Sequence, residues 1–199
     1  MKELLRGLVG YRQGFHQEHQ ALFDKLKSGQ QPRVLFITCS DSRVSPAHIT
    51  QCDPGELFVI RNAGNLVPPP NGGGESGTLE YAMTQLPIEH VVVCGHSDCG
   101  AMKGLFNTEL PQVLPQVGAW LRNAEPTRAA LQNAPALERL PLAIEHNVRQ
   151  QLANLEGHPS VAAKLKQNAV TVHGWVYDIG SGVVRAYDRQ KEAFLPLNE

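Results

Sequence analysis

Cys39-Ser-Asp-Ser-Arg43 and His96-Ser-Asp-Cys99-Gly100 carry between them two thiols, an imidazole, carboxylates and a guanidinium. Two thiolates and one imidazole suit a borderline-soft, redox-inert ion, and zinc is the metal this donor set favours. Structural zinc sites close all four positions with protein donors, whereas three donors leave a position for water, as in catalytic sites. The two thiolates of Cys39 and Cys99 offset the ion's double charge. His96 adds none, so some Lewis acidity survives to bring a bound water's pKa towards neutrality. Asp41, two residues after the first thiolate, then has two uses. It can accept a hydrogen bond from that water and orient it, or it can occupy the fourth position on zinc itself, a closed state. Arg43, forked onto the carboxylate, holds Asp41 ionised and off the metal. Asp41 and Arg43 are therefore the expected catalytic dyad of a metal-assisted hydration or hydrolysis, with both states accessible.

Such a site needs two loops brought together, and the apolar runs supply the means. Arg33–Thr38, Glu56–Arg61 and His90–Cys94 are short and continuously apolar in their interiors, the pattern of strands buried on both faces of a parallel sheet. Residues 169–177 read as a fourth strand, and 183–187, across a turn-rich link, as an antiparallel edge strand. Helical periodicity fills 75–85, 111–123, 137–155 and 160–167, after a Pro/Gly-rich loop at 68–74. The alternation predicts an α/β fold: a central, mostly parallel sheet flanked by helices. Cys39 then follows the carboxyl end of one strand, and His96 and Cys99 that of another, where ligands collect in open parallel sheets.

Ahead of the sheet, Leu4, Leu5, Leu8, Val9, Phe15, Leu22, Phe23 and Leu26 make one apolar stripe, so residues 2–28 read as a long amphipathic helix ended by Gly29. An apolar stripe at a chain end must be covered by its own domain or by another subunit. The 199 residues fit a single domain, 1–199, with 1–28 as a helical arm.

Eighteen basic and nineteen acidic residues leave a formal charge of −1, which lacks the basic footprint of a nucleic-acid binder. No apolar run reaches the roughly 20 residues that cross a bilayer, and the N-terminus lacks a secretory signal's apolar core. A cytoplasmic protein is expected. In that compartment cysteines grouped with a histidine point to metal rather than disulfides, and Cys52 and Cys94 read as small buried residues.

Cys39-Ser-Asp-Ser-Arg-Val44, Phe58-Val-Ile-Arg-Asn-Ala-Gly-Asn65, Glu80-Tyr81 and Cys94-Gly-His-Ser-Asp-Cys-Gly-Ala-Met102 together resemble, in order, the signatures of the β-class carbonic anhydrases. The resemblance implies zinc on Cys39, His96 and Cys99, the Asp41–Arg43 dyad, and reversible hydration of carbon dioxide to bicarbonate and a proton. Phe36 stands where an allosteric bacterial branch has a tryptophan, and Gln30 where the plant-like branch has a glutamine that donates to substrate. Phe58 and Tyr81 match that branch's aromatic pocket walls, which are completed across a dimer interface, so a homodimer or larger homo-oligomer is implied. The Asn62–Asn65 and Met102–Gly104 wording is similar to cyanobacterial members, carboxysomal ones included, although their C-terminal extension has no counterpart here. Carbon dioxide is small and apolar, so a narrow pocket with one or two donors suits it, and the Gln30 amide and Gly100 N–H qualify.

Two other readings use the same residues. One is hydrolysis of carbon disulfide or carbonyl sulfide at the same zinc site. The other is a non-catalytic, zinc-stabilised scaffold that senses bicarbonate.

Overall fold

The computed structural model describes residues 1–70 and 73–197, so Asn71 and Gly72 of the expected 68–74 loop lie outside the described residues. The chain forms two compact units, Met1–Gln31 and Pro32–Glu199.

The first unit is helical, but its expected single helix is three: α1 (Lys2–Gln13), α2 (Phe15–Glu18) and α3 (Gln20–Leu26). Gly14, at φ −102° and ψ −102°, leaves helical geometry, and His19 breaks the run again at φ −105° and ψ 27°. Glycine costs a helix interior about 1 kcal/mol relative to alanine, so a break there is cheap. Tyr11, Phe15 and Phe23 pack ring against ring. None of the residues in α1–α3 is buried, and Leu4 and Leu8 stand 68% and 64% exposed.

The second unit is built on a six-stranded sheet. Its strands are β1 (Val34–Cys39), β2 (Leu57–Asn62), β3 (His90–His96), β4 (Thr171–Tyr177), β5 (Val184–Asp188) and β6 (Ala193–Pro196). Spatial order is β2-β1-β3-β4-β5-β6, with the first four parallel and β5 and β6 antiparallel. The expected four parallel strands and antiparallel partner are present, and β6 adds a sixth. Leu35, Phe36, Ile37, Val91, Val92 and Val93 are all buried, as continuous apolar runs in central strands require.

Helices cover the sheet: α4 (Pro46–Thr50), α5 (Gly73–Gln85), α6 (Gly100–Gly104), α7 (Leu110–Val113), α8 (Pro115–Leu121), α9 (Glu125–Leu131), α10 (Ala136–Glu156) and α11 (Pro159–Lys166). The continuous helix expected at 111–123 is instead α7, α8 and a 3₁₀ turn at Arg122–Ala124. Pro115 explains the break: it disfavours helical backbone at the preceding residue, and Leu114 sits at φ −129°, ψ 74°.

α10 is the brace of the structure. Its buried Ala143, Ile144, Asn147, Val148, Gln151, Leu152 and Leu155 recur at helical spacing on one face. That face lies on β3 and β4 so closely that a Cβ on Gly95 would come 2.9 Å from Val148, and one on Gly174 2.8 Å from Leu152. The apolar part of the face anchors the helix, while Asn147 and Gln151 reach beyond the sheet edge to the loop after β2.

Candidate metal centre

β1 and β3 are parallel neighbours, with Thr38 opposite Cys94, so their carboxyl ends open on one edge. Cys39 is the last residue of β1 and His96 the last of β3. Cys99 caps the start of α6, after a turn in which Asp98 adopts left-handed backbone at φ 60°. Aspartate tolerates that region better than most side chains. The turn brings the third donor back to the edge: ligand atoms of Cys39, His96 and Cys99 all lie within 4.8 Å of one another, and all three residues are buried. Among the described residues this is the one such cluster.

The cluster fits a zinc ion. His96 Nδ1 lies 2.9 Å from the Ser97 carbonyl, which fixes the proton there and leaves Nε2 with its lone pair free. Nε2 is buried without a hydrogen-bond partner, a costly arrangement that a metal bond would relieve. Zinc takes about 2.0 Å from nitrogen and 2.3 Å from sulfur, and donor atoms within 4.8 Å of one another are close enough to share one such ion. The sulfurs are electrostatically prepared. Hydrogen bonding from Cys99, and further bonds from His96 and from the Gly64 and Asp41 backbone, outweigh burial and lower the Cys39 pKa to about 4. The same contact with Cys39, reinforced by burial, pushes Cys99 up. For His96, burial favours the neutral ring but contact with Cys39 carries its pKa above the ordinary value. One thiolate is thus stabilised by the protein, and the second awaits a cation to displace its proton.

Asp41 and Arg43 form the expected pair. Arg43 Nε donates to Asp41 Oδ1 at 2.9 Å and Nη2 to Oδ2 at 2.8 Å, while the Arg43 backbone N–H donates to Oδ1 at 2.9 Å. These bonds, side chain first, hold the Asp41 carboxyl far below the usual carboxylate range and push the Arg43 guanidinium up. Asp41 Oδ2 is 4.0 Å from His96 Nε2, so the forked carboxylate faces the donor triangle.

Three supports were not legible from residue types. Arg43 also donates to Asp98, from Nη1 to Oδ2 at 3.0 Å, so one guanidinium ties the two donor loops together. Arg61 donates to the carbonyls of Cys39 (3.1 Å), Asp41 and Val44 (both 2.8 Å), setting the course of the loop that carries the dyad. The Gly64 N–H meets Cys39 Sγ at 3.4 Å, and Asn147 Nδ2 holds the Gly64 carbonyl at 3.0 Å. Gly64 has φ +87°, and a Cβ there would press on Ala101 at 3.0 Å, so only glycine passes this point without strain.

The expected substrate residues are distributed differently. Gly100 follows Cys99 directly, is exposed, and would meet nothing within 4 Å if given a Cβ, so the site is open on that side. Phe58 and Tyr81 do meet, with ring centroids 6.1 Å apart, and Tyr81 is 48% exposed. They are not brought to their own chain's donors. Phe58 pairs with Leu35, four residues before Cys39, which is about 13 Å along the strand. Gln30 is exposed and belongs to the helical first unit.

The family model described as carbonic anhydrase matches residues 34–184. A carbonic anhydrase of Pseudomonas aeruginosa is 46% identical over 204 residues, covering 100% of this chain and 93% of that protein. The solved structure of the β-carbonic anhydrase CcaA superposes with a TM-score of 0.96 at 42% identity, over 100% of this chain and 92% of that one. One of the tetrameric β-carbonic anhydrases of the ascomycete Sordaria macrospora gives a TM-score of 0.85 at 28% identity, over 93% and 95%. With the donor triangle on the edge of this sheet, and with these matches across nearly its whole length, the chain belongs to the β-carbonic anhydrase family.

Proposed function

We propose that the chain catalyses the reversible hydration of carbon dioxide to bicarbonate and a proton, with zinc held by Cys39, His96 and Cys99. The observation that carries this reading is the buried donor triangle with a carboxylate, already forked by arginine, facing it. Zinc would supply the Lewis acidity that makes hydroxide available near neutral pH. Asp41 accepts a hydrogen bond from the attacking oxygen and aims its lone pair at the substrate carbon. Arg43 keeps Asp41 ionised and, having both its oxygens engaged, keeps it from turning onto the metal as a fourth ligand. The Gly100 N–H is the donor for the charge that develops on the substrate oxygen. Carbon disulfide or carbonyl sulfide hydrolysis and a non-catalytic role have no comparable support.

The experiment is stopped-flow hydration paired with zinc analysis. Protein carrying one zinc per chain is expected to hydrate carbon dioxide, to lose that activity in step with its zinc under a chelator, and to regain it on re-addition. Zinc-replete protein without activity would refute the assignment. Both sulfurs must be reduced to serve as donors, which supports a cytoplasmic setting. No helix among the described residues is long and apolar enough to cross a membrane.

The working unit we propose is a homodimer or larger homo-oligomer. Phe58 lies too far along the sheet to wall its own chain's site, and Tyr81 of α5 packs beside it, so the aromatic wall comes from a second copy. The uncovered apolar residues of α1–α3 are a second support, and the tetrameric Sordaria relative a third. Placing aspartate at Leu4 and Leu8 together is expected to shift light-scattering mass from oligomer towards monomer and to lower hydration at least ~10-fold, since substrate positioning is lost. An unchanged mass would remove the arm from the interface.

A further inference from the structure

A cavity of about 490 Å³ lies away from the donor triangle, between residues 104–111, which run from the end of α6 into α7, and the helices α8, α9 and α10. Its floor is apolar, made by buried Leu105 and Leu121 with half-buried Phe106. Its charged lining is lopsided: Arg122, Arg128 and Arg139 face one carboxylate, Glu125. Arg128 forks onto Glu125 at 2.8 and 2.6 Å, so that pair is neutral as a unit. Arg139 lies over the Phe106 ring at 5.4 Å and spends Nε and Nη2 on the Ala134 carbonyl, leaving Nη1 for another acceptor. The Arg122 side chain has no hydrogen bond or ion pair among the described residues, and the residue stands between this cavity and a second one beside Pro69 and Asn154. The Arg122 guanidinium and the one free Nη1 of Arg139 therefore line a cavity with an apolar floor, in a volume of the size that holds small organic molecules.

We propose that this cavity binds a small organic carboxylate, its apolar body on Leu105 and Leu121 and its anionic end on Arg122 and Arg139. Guanidinium forks match carboxylate geometry, and an apolar body recovers the burial that a bare ion cannot. Inorganic phosphate satisfies the charge and not the floor, and a neutral amide the floor and not the charge. The occupant would pack against Gly104, at the opposite end of α6 from the metal donor Cys99. The site is nonetheless separate from the catalytic one and stands whether or not the hydration reading does.

Benzoate, benzamide and inorganic phosphate titrated calorimetrically into zinc-loaded protein test the assignment. Carboxylates also meet zinc, so the informative quantity is the component that depends on Arg122. Arg122 is exposed and lies outside the donor triangle and dyad, so Arg122→Ala is expected to fold normally and keep its hydration rate. The Arg122-dependent component of benzoate binding should saturate at one per chain with Kd below roughly 10 mM and weaken about tenfold in Arg122→Ala, as loss of a charged hydrogen bond implies. Benzamide and phosphate should bind more weakly than benzoate. Benzoate binding that is absent, or equal in the two proteins, overturns the proposal, as does phosphate binding as tight as that of benzoate.

Discussion

Cys99→Ser is expected to empty the site of zinc, abolish carbon dioxide hydration and lower thermal stability together. A serine hydroxyl does not ionise near neutrality, so the donor set falls to one thiolate and one imidazole, too few to hold zinc tightly. The loss has a second part that the local hydrogen bonding exposes. The Cys99 side chain also lowers the Cys39 pKa, so the two sulfurs act as a pair and the substitution changes both. Binding of a structural zinc is worth ~10–16 kcal/mol in small domains, and the part used here counts towards folding. We expect zinc content to drop at least ~10²-fold at sub-saturating metal, beyond what loss of an outer-shell partner causes. Cys52→Ser is the control, because Cys52 is a free thiol outside the cluster and should keep both zinc and activity. Metal analysis and a melting curve on each variant decide the matter. Full zinc occupancy in Cys99→Ser would remove this residue from the donor set.

The clustered Cys39, His96 and Cys99 were legible in the sequence for a chemical reason: few residue types bind zinc, and the strands before them announced themselves as unbroken apolar runs. Cys39 directly follows one such run and His96 lies two residues past another, so their meeting at one sheet edge followed from parallel pairing alone. Arg61 was not legible as a support because it works through backbone carbonyls, which every residue carries. Asp98 was hidden similarly, since its role depends on a left-handed turn that swings its carboxylate towards Arg43.

The fold shows the same division. β6 went unseen because it is four residues long and ends in proline at the sheet's edge, where the periodic signal is shortest. The helix α6 hides between two glycines, Gly100 and Gly104, and its formation depends on packing rather than propensity. The arm's apolar spacing was read correctly but its continuity was not, because stripe periodicity survives a break at Gly14 that only backbone angles reveal. Phe58 makes the functional version of this point. Its identity suggested a pocket wall, and only the pairing of Phe58 with Leu35 shows that it lies about 13 Å along the strand from its own chain's Cys39.

Asp41→Asn separates metal binding from catalysis, and should leave zinc content unchanged while lowering kcat/KM by ~10²–10⁴-fold, the range for loss of a positioned proton acceptor. All three metal donors remain, so occupancy has no reason to fall. What changes is the face turned to Arg43, where an amide nitrogen now opposes guanidinium N–H groups and half of the fork is lost. Arg43→Lys tests the same contact from the other side. It keeps the positive charge but not the bidentate geometry, and should fall between wild type and Asp41→Asn. The pH profile adds a sign that the rates alone do not carry. Arg43 lowers the Asp41 pKa, and an acid with a lowered pKa stays ionised at every pH above it. The rise of wild-type activity with pH should therefore have its midpoint well above ~4, the ordinary aspartate range, and report a group other than Asp41. A midpoint near that range, or an Asp41→Asn variant with full zinc and undiminished turnover, would show that this carboxylate neither stays charged nor orients the nucleophile.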